Sequence, residues 1–235
     1  VAGKIWYYDC YDLRKFGIND IHTFVDIGAN NGSVSMMAKI LMPSARIIAI
    51  EPCKESFENF KNNIWCWRKI RIEGYNIALG DGSQLYLHKN KRYDGLHKFF
   101  TDTETKDFNV EKEDSVQSRT LKQIFDDYEI DISLPYILKI DCEGGERFLL
   151  EQEDSLDILR NATQIMFELH IGIGGSGEEW NEFLQRITTH EIKYGKYEPD
   201  GKSPDRKFVY KRISKFEEKS GRHTVELVKK NTNFV

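Results

Sequence analysis

The stretch from His22 to Ala29, HTFVDIGA, is a nearly continuous apolar run that ends in a glycine. Runs of this kind suit a parallel strand covered on both faces. A second glycine, Gly32, opens a helical pattern in which Val34, Met37, Ala38 and Leu41 share one face, and Pro43 and Ser44 stop it. The unit then repeats. RIIAIEP (46–52) reads as a strand. Residues 54–64 read as a helix with Phe57, Phe60 and Ile64 on one side, and IRIEGYNIAL (70–79) as a third strand. Residues 23–79 are therefore expected to form β-α-β-α-β, the signature of an α/β fold with a parallel sheet and right-handed crossovers.

Further along, QLYLHK (84–89) alternates like a short edge strand. Residues 89–118 are charged and without pattern, and are expected to be an insertion or lid carrying Tyr93, His97 and Phe99. TLKQIFDDY (120–128) is helical, PYILKIDCE (135–143) is again apolar, and a helix is expected from Gly145. QIMFELH (164–170) is a strand, IGIGGSG a flexible turn and EEWNEFLQRI a helix. EIKYGKY, KFVYKRI and HTVELVKK supply two or three final strands. Residues 1–20 read as a cap beside the first strand, and Trp65-Cys66-Trp67 as core or interface. No linker divides the 235 residues, so one domain is expected.

Composition narrows the function. A net charge of −4 argues against a nucleic-acid binder, and no apolar run reaches the ~18–20 residues of a membrane span. Cys10, Cys53, Cys66 and Cys142 lack zinc-site spacing and read as free thiols, which points to the cytoplasm. The chain begins with Val1, so it is expected to be processed or cut from a longer polypeptide.

In open α/β sheets, ligands lie beyond the carboxyl ends of the strands. Asp26, Gly28, Asn30 and Gly32 fall there in a D-x-G-x-N-x-G pattern. A dinucleotide site wants GxGxxG and a P-loop wants Lys-Ser/Thr, and neither is present. An acid at this position would balance a cationic ligand group and repel phosphate. Glu51 closes the second strand, where a carboxylate can accept hydrogen bonds from both hydroxyls of a ribose. A ligand with a ribose and a positive charge but no pyrophosphate is S-adenosylmethionine.

The segments FVDIGANNGSVS, IAIEP, NIALGD and LKIDCEGGE, in this order, resemble the FkbM-type family of S-adenosylmethionine-dependent methyltransferases across roughly residues 23–170. The resemblance implies a Rossmann-like class I methyltransferase fold, with a seven-stranded sheet in the order 3-2-1-4-5-7-6 and strand 7 antiparallel. It also implies that Asp26, Gly28, Asn30 and Gly32 cradle the methionine part, that Glu51 holds the ribose, and that Asn76, Ala78 and Leu79 border the adenine.

The acceptor side is expected around Asp141, Glu143 and Glu146, with Glu168 and His170 at the end of a neighbouring strand. His170 has the natural pKa of a general base, and Asp141 is the alternative or an orienting group. Glu143 and Glu146 would also suit the N-terminus of the helix that follows. Two carboxylates and an imidazole would accommodate Mn²⁺ or Zn²⁺, but the resemblance does not require a metal and none is assigned. The expected activity is O-methylation of a sugar or another small polyhydroxylated metabolite, the oxygen selectivity coming from the resemblance. An NAD-type oxidoreductase or a non-catalytic nucleoside-binding module are the alternatives. Partners are expected to be small acceptors, with no nucleic acid and no membrane.

Overall fold

The computed structural model describes residues 13–15, 20–66, 71–88, 98–107, 114–172, 175–187, 189–199, 208–213 and 221–229. Twelve strands and six α-helices are placed among them. In chain order they are β1 Thr23–Ile27, α1 Ser33–Leu41, β2 Arg46–Ile50, α2 Lys54–Trp65, β3 Glu73–Tyr75, β4 Ala78–Leu79, β5 Gln84–His88 and β6 Lys98–Phe100. There follow α3 Asp102–Asp107, β7 Asp114–Arg119, α4 Leu121–Asp127, β8 Tyr136–Ile140, α5 Leu156–Asn161, β9 Gln164–Ile171, α6 Gly177–Gln185, β10 His190–Pro199, β11 Phe208–Ile213 and β12 Gly221–Lys229.

The main sheet has eight strands, not the expected seven, in the order β3-β2-β1-β8-β9-β12-β10-β11. Its first five strands are parallel to their neighbours, whereas β12 runs against both β9 and β10, and β11 runs against β10. The architecture is Rossmann-like, mixed α/β with a mostly parallel sheet, as the resemblance implies. β1 and β8 are buried along their whole length. Alternate residues feed opposite layers, as the two-residue period of a strand requires. Val25, Ile27, Leu138 and Ile140 pack towards α4, α5 and α6 through Ile124, Leu159 and Trp180. Phe24 and Ile137 pack on the other side against Val34, Met37, Ala38 and Met42 of α1 and its cap.

The third predicted strand divides. β3 joins the main sheet, and β4 starts a second, four-stranded sheet ordered β4-β7-β5-β6. Much of the segment expected to be a patternless lid is therefore structured as β6, α3 and β7, with β5 inside the small sheet and not at its edge. Leu85 and Val116 supply its core together with Ala78, and Phe99 and Phe148 pack against it. Tyr93 and His97 lie outside the described residues. The helix expected from Gly145 is a 3-10 segment, Gly145–Glu151, followed by a 3-10 turn at Glu153–Ser155. Of the N-terminal cap, Leu13 is buried with Ile21 and Phe24, and most of the rest lies outside the described residues. Trp65 is 72% exposed and so is not core; Trp67 lies outside the described residues. Among the described residues no helix is long and apolar enough to cross a membrane, and Cys53, Cys66 and Cys142 are free thiols.

One charged pair crosses the apolar centre. In the β1–β8 ladder Asp26 stands opposite Lys139, both on the α1 face. Lys139 is 2% exposed. Its Nζ lies 3.1 Å from Asp26 Oδ1 and donates to the carbonyl of Gly28 at 2.7 Å. From α1, Ser35 Oγ donates to Asp26 Oδ2 at 2.5 Å. Burial alone would lower the lysine's pKa, but Asp26 and Asp141 outweigh it and hold the ammonium protonated. Removing one partner strands a charge in the core. Lys139→Met is therefore expected to cost about 3–5 kcal/mol in urea unfolding at neutral pH. Adding Asp26→Asn should recover part of that loss, with a coupling of about 1–3 kcal/mol. Two small, additive losses would contradict the pairing.

Candidate functional site

The turn after β1 is built around two left-handed glycines. Gly28 has φ 82°, and a Cβ there would lie 1.7 Å from the carbonyl oxygen of Asp141. The close approach that demands glycine is therefore made by the chain's own backbone. Gly32 has φ 83°, and its missing Cβ leaves room for the Phe60 ring of α2. Asn30, between them, is also left-handed at φ 50°. This turns its amide towards Glu51, and the Asn30 N–H donates to Glu51 Oε2 at 2.8 Å.

Glu51 directly follows β2 and is 7% exposed. The Cys53 N–H donates to its other oxygen, Oε1, at 2.8 Å. Burial raises its pKa to about 7, and the two backbone N–H groups restrain that rise. Each carboxylate oxygen has two acceptor sites, and the backbone takes one on each. The carboxylate is thus locked in orientation and retains acceptor capacity on both oxygens, which fits the vicinal hydroxyls of a ribose.

The other predicted donor-side residues divide. Asp26 does not present its carboxylate as a ligand contact: it is fully buried, and the cation it balances is Lys139 of the protein itself. Asn76 braces the site from outside, its Nδ2 donating to the carbonyls of Glu51 and Pro52 at 2.8 and 3.0 Å. Ala78 and Leu79 are buried in the two cores, so their side chains do not border a nucleoside. The exposed or half-buried residues of that stretch are Asn76 and Ile77.

At the ends of β8 and β9, Glu143 and Gly144 adopt successive left-handed conformations, φ 52° and 100°. A non-glycine residue in this region is strained, and such strain clusters at functional positions. Glu146 is the hub. Completely buried, it accepts from the N–H groups of Gly144 at 2.9 Å and His170 at 2.8 Å, and from His170 Nδ1 at 2.7 Å. His170 Nε2 lies 3.2 Å from Glu143 Oε2. Burial would lower the imidazole's pKa, but Glu143 and Glu146 outweigh it and raise it to about 10. An imidazolium has no lone pair to offer, so the expectation that His170 serves as the base does not suit this geometry. Asp141, Glu168 and His170 bring one ligand atom each to within 4.8 Å of one another.

Sequence reasoning did not single out Lys139, and it named Glu146 and Glu168 on the acceptor side without assigning either a role in the reaction. Lys139 had a signal: a lysine inside an apolar strand needs a buried partner, and the first strand contained one acid. Glu146 and Glu168 were visible as acids near a strand end, but not their convergence.

The sequence matches the family described as Methyltransferase FkbM domain over residues 26–194. No curated protein matches it. Among solved structures, the methyltransferase FkbM from Methylobacillus flagellatus KT is similar at 12% identity and a TM-score of 0.51, covering 94% of this chain and 46% of that one. This chain thus spans about half the length of that relative. The precorrin-6y C5,15-methyltransferase from Geobacter metallireducens GS-15 aligns at 12% identity and TM-score 0.47, covering 92% and 84% of the two chains. The N-terminal domain of human METTL16, solved in complex with SAH, aligns at 12% and 0.43, covering 95% and 67%. The family match spans well over half of the chain, and the protein belongs to the FkbM methyltransferase family, whose methyl donor is S-adenosylmethionine.

Proposed function

We propose that this FkbM-family methyltransferase transfers a methyl group from S-adenosylmethionine to a hydroxyl of a sugar or other small polyhydroxylated metabolite. The observation that carries the reading is Glu51, a buried carboxylate locked by two backbone N–H groups at the end of β2 with acceptor capacity on both oxygens. It would hold the ribose. The β1–α1 turn with Gly28, Asn30 and Gly32 would face the methionine part through its backbone. Asp26 serves indirectly, by fixing that turn.

When bound, the donor supplies a methyl carbon on a sulfonium; the acceptor oxygen bonds to it as the C–S bond breaks, and the bonding pair stays on sulfur. The chain's own residues position the acceptor and take its proton. Positioning supplies much of the rate of such an in-line displacement. The proton goes to Glu143, which is half-buried, conformationally strained and beside His170. His170, held by Glu146, orients Glu143, and Asp141 flanks the acceptor. A carboxylate-lined end also favours a neutral polyol, whose hydroxyls donate to it, over an anionic acceptor or a nucleic acid.

Isothermal calorimetry with S-adenosylhomocysteine tests the donor half. Ribose hydroxyls donate to the charged form of Glu51, whose folded pKa lies near 7, so affinity is full above that pH and is lost as pH falls through it. Wild type is expected to bind about tenfold more weakly at pH 6 than at pH 8. Glu51→Gln should bind at least about tenfold more weakly at pH 8, with no such pH dependence. Equal affinity in the two proteins would contradict the assignment. For the acceptor half, a panel of glycosides and nucleotide sugars would be screened for methyl transfer. With the accepted compound, Glu143→Gln should lower kcat by about 100-fold or more at unchanged S-adenosylhomocysteine affinity; an unaltered kcat would remove Glu143 from that role.

A further inference from the structure

Glu168 has no part in the reaction as outlined, yet its carboxylate lies beside that of Asp141 and the ring of His170. Resting on that reading of the site, we propose that Asp141, Glu168 and His170 form a divalent-cation site that binds the acceptor through two neighbouring oxygens.

The backbone brings these residues together. Glu168 and His170 are two apart on β9 and so project to one face. The β8–β9 ladder ends with Ile140 opposite Phe167, which sets Asp141 beside Glu168 one step further on. Their ligand atoms and that of His170 lie within 4.8 Å of one another. Ligand atoms around a bound cation lie roughly 3 Å apart, a contraction that side-chain rotation at Asp141 and Glu168 can supply.

The histidine provides the second, independent observation. It is 5% exposed. Its Nδ1 is committed to the buried Glu146 carboxylate at 2.7 Å. A carboxylate behind a histidine in this way fixes the ring and leaves Nε2 as the ligand atom, the arrangement that supports metal-binding histidines. Nε2 is buried and makes no hydrogen bond among the described residues, its neighbour being the Glu143 carboxylate at 3.2 Å. A cation bound there takes the place of the Nε2 proton, which is released to solvent and leaves the ring its lone pair. A buried ring nitrogen without a hydrogen bond is thus aimed at converging carboxylates. Charge points the same way. Asp141, Glu143, Glu146 and Glu168 crowd these strand ends, while the Lys139 ammonium sits closer to Asp26 (3.1 Å) than to Asp141 (3.8 Å).

Two carboxylate oxygens and one imidazole suit Mn²⁺ or Zn²⁺, and three protein ligands leave coordination positions open. Two open positions select an acceptor whose reacting hydroxyl neighbours a second oxygen, such as a vicinal diol or an α-hydroxycarbonyl compound. A cation there polarises the hydroxyl and lowers its pKa. The O–H bond breaks, the proton passes to Glu143, and the oxygen's electron pair forms the new O–C bond described above.

The test is titration of the full chain, stripped with EDTA, with Mn²⁺ alone, free Mn²⁺ being followed by electron paramagnetic resonance. One saturable site per chain is expected, displaced by Zn²⁺. Glu168→Gln and Asp141→Asn should each weaken it at least tenfold while S-adenosylhomocysteine still binds, which also reports that the variants fold. The substitutions lie at the ends of different strands, so either one suffices if the other fails to fold, and the wild-type titration needs neither. No saturable Mn²⁺ binding, or binding unchanged in the folded variants, overturns the site. S-adenosylhomocysteine binding without Mn²⁺ binding would overturn the cation site and leave the methyltransferase reading standing. Mn²⁺ binding without S-adenosylhomocysteine binding would support the cation site and overturn that reading.

Discussion

Lys139 places an ammonium group in the apolar centre of the sheet, and the geometry of the site follows from where it points. A buried cation needs compensation on every accessible side. Asp26 supplies it from the neighbouring strand, and the carbonyl of Gly28 from the turn above. The two strands are thereby fixed in register at their carboxyl ends, and the β1–α1 turn is drawn onto the end of β8. Ser35 extends the network into α1 through Asp26. The acid that opens the glycine motif thus shapes the loop from beneath.

The same turn couples the two halves of the site. Gly28 packs so closely on the Asp141 carbonyl that no side chain fits between them. The end of the site set by β1 and β2, proposed for the donor, and the end set by β8 and β9, proposed for the acceptor, are therefore held in relative position by backbone contact. Each half has one buried glutamate that organises it. Glu51 gathers the amides of Asn30 and Cys53, and Glu146 gathers those of Gly144 and His170. Glu51 retains acceptor capacity towards a ligand. Glu146 spends its capacity on aligning the histidine.

The parallel strands were legible because burial on both faces leaves an unbroken apolar run, as in TFVDI and YILKI. Helices α1 and α2 were legible from their periodicity. The second sheet was not: β4 and β6 are two and three residues long, and β7 is mostly polar and exposed on one face, so no pattern marks them. Asp26 and Glu51 looked equivalent in the sequence, each an acid closing a strand. They differ because Asp26 points along the sheet face to a lysine more than a hundred residues away in the chain, and such pairings depend on register, which spacing does not reveal. His170 carried the same difficulty. Its ordinary pKa marks a base, but Glu143 and Glu146, from the other strand end, outweigh its burial and raise it. Ala78 and Leu79 were misjudged because the third strand divides between two sheets and turns their side chains into the cores.

The account rests on a nucleoside lying across the ends of β1 and β2 with its sugar on Glu51. A crystal structure of the chain with S-adenosylhomocysteine bound tests this most directly. Both ribose hydroxyls should lie within about 3.2 Å of the two Glu51 oxygens, with the thioether sulfur turned towards Glu143 and His170. A ligand seated elsewhere, with Glu51 touching only Asn30 and Cys53, would contradict it.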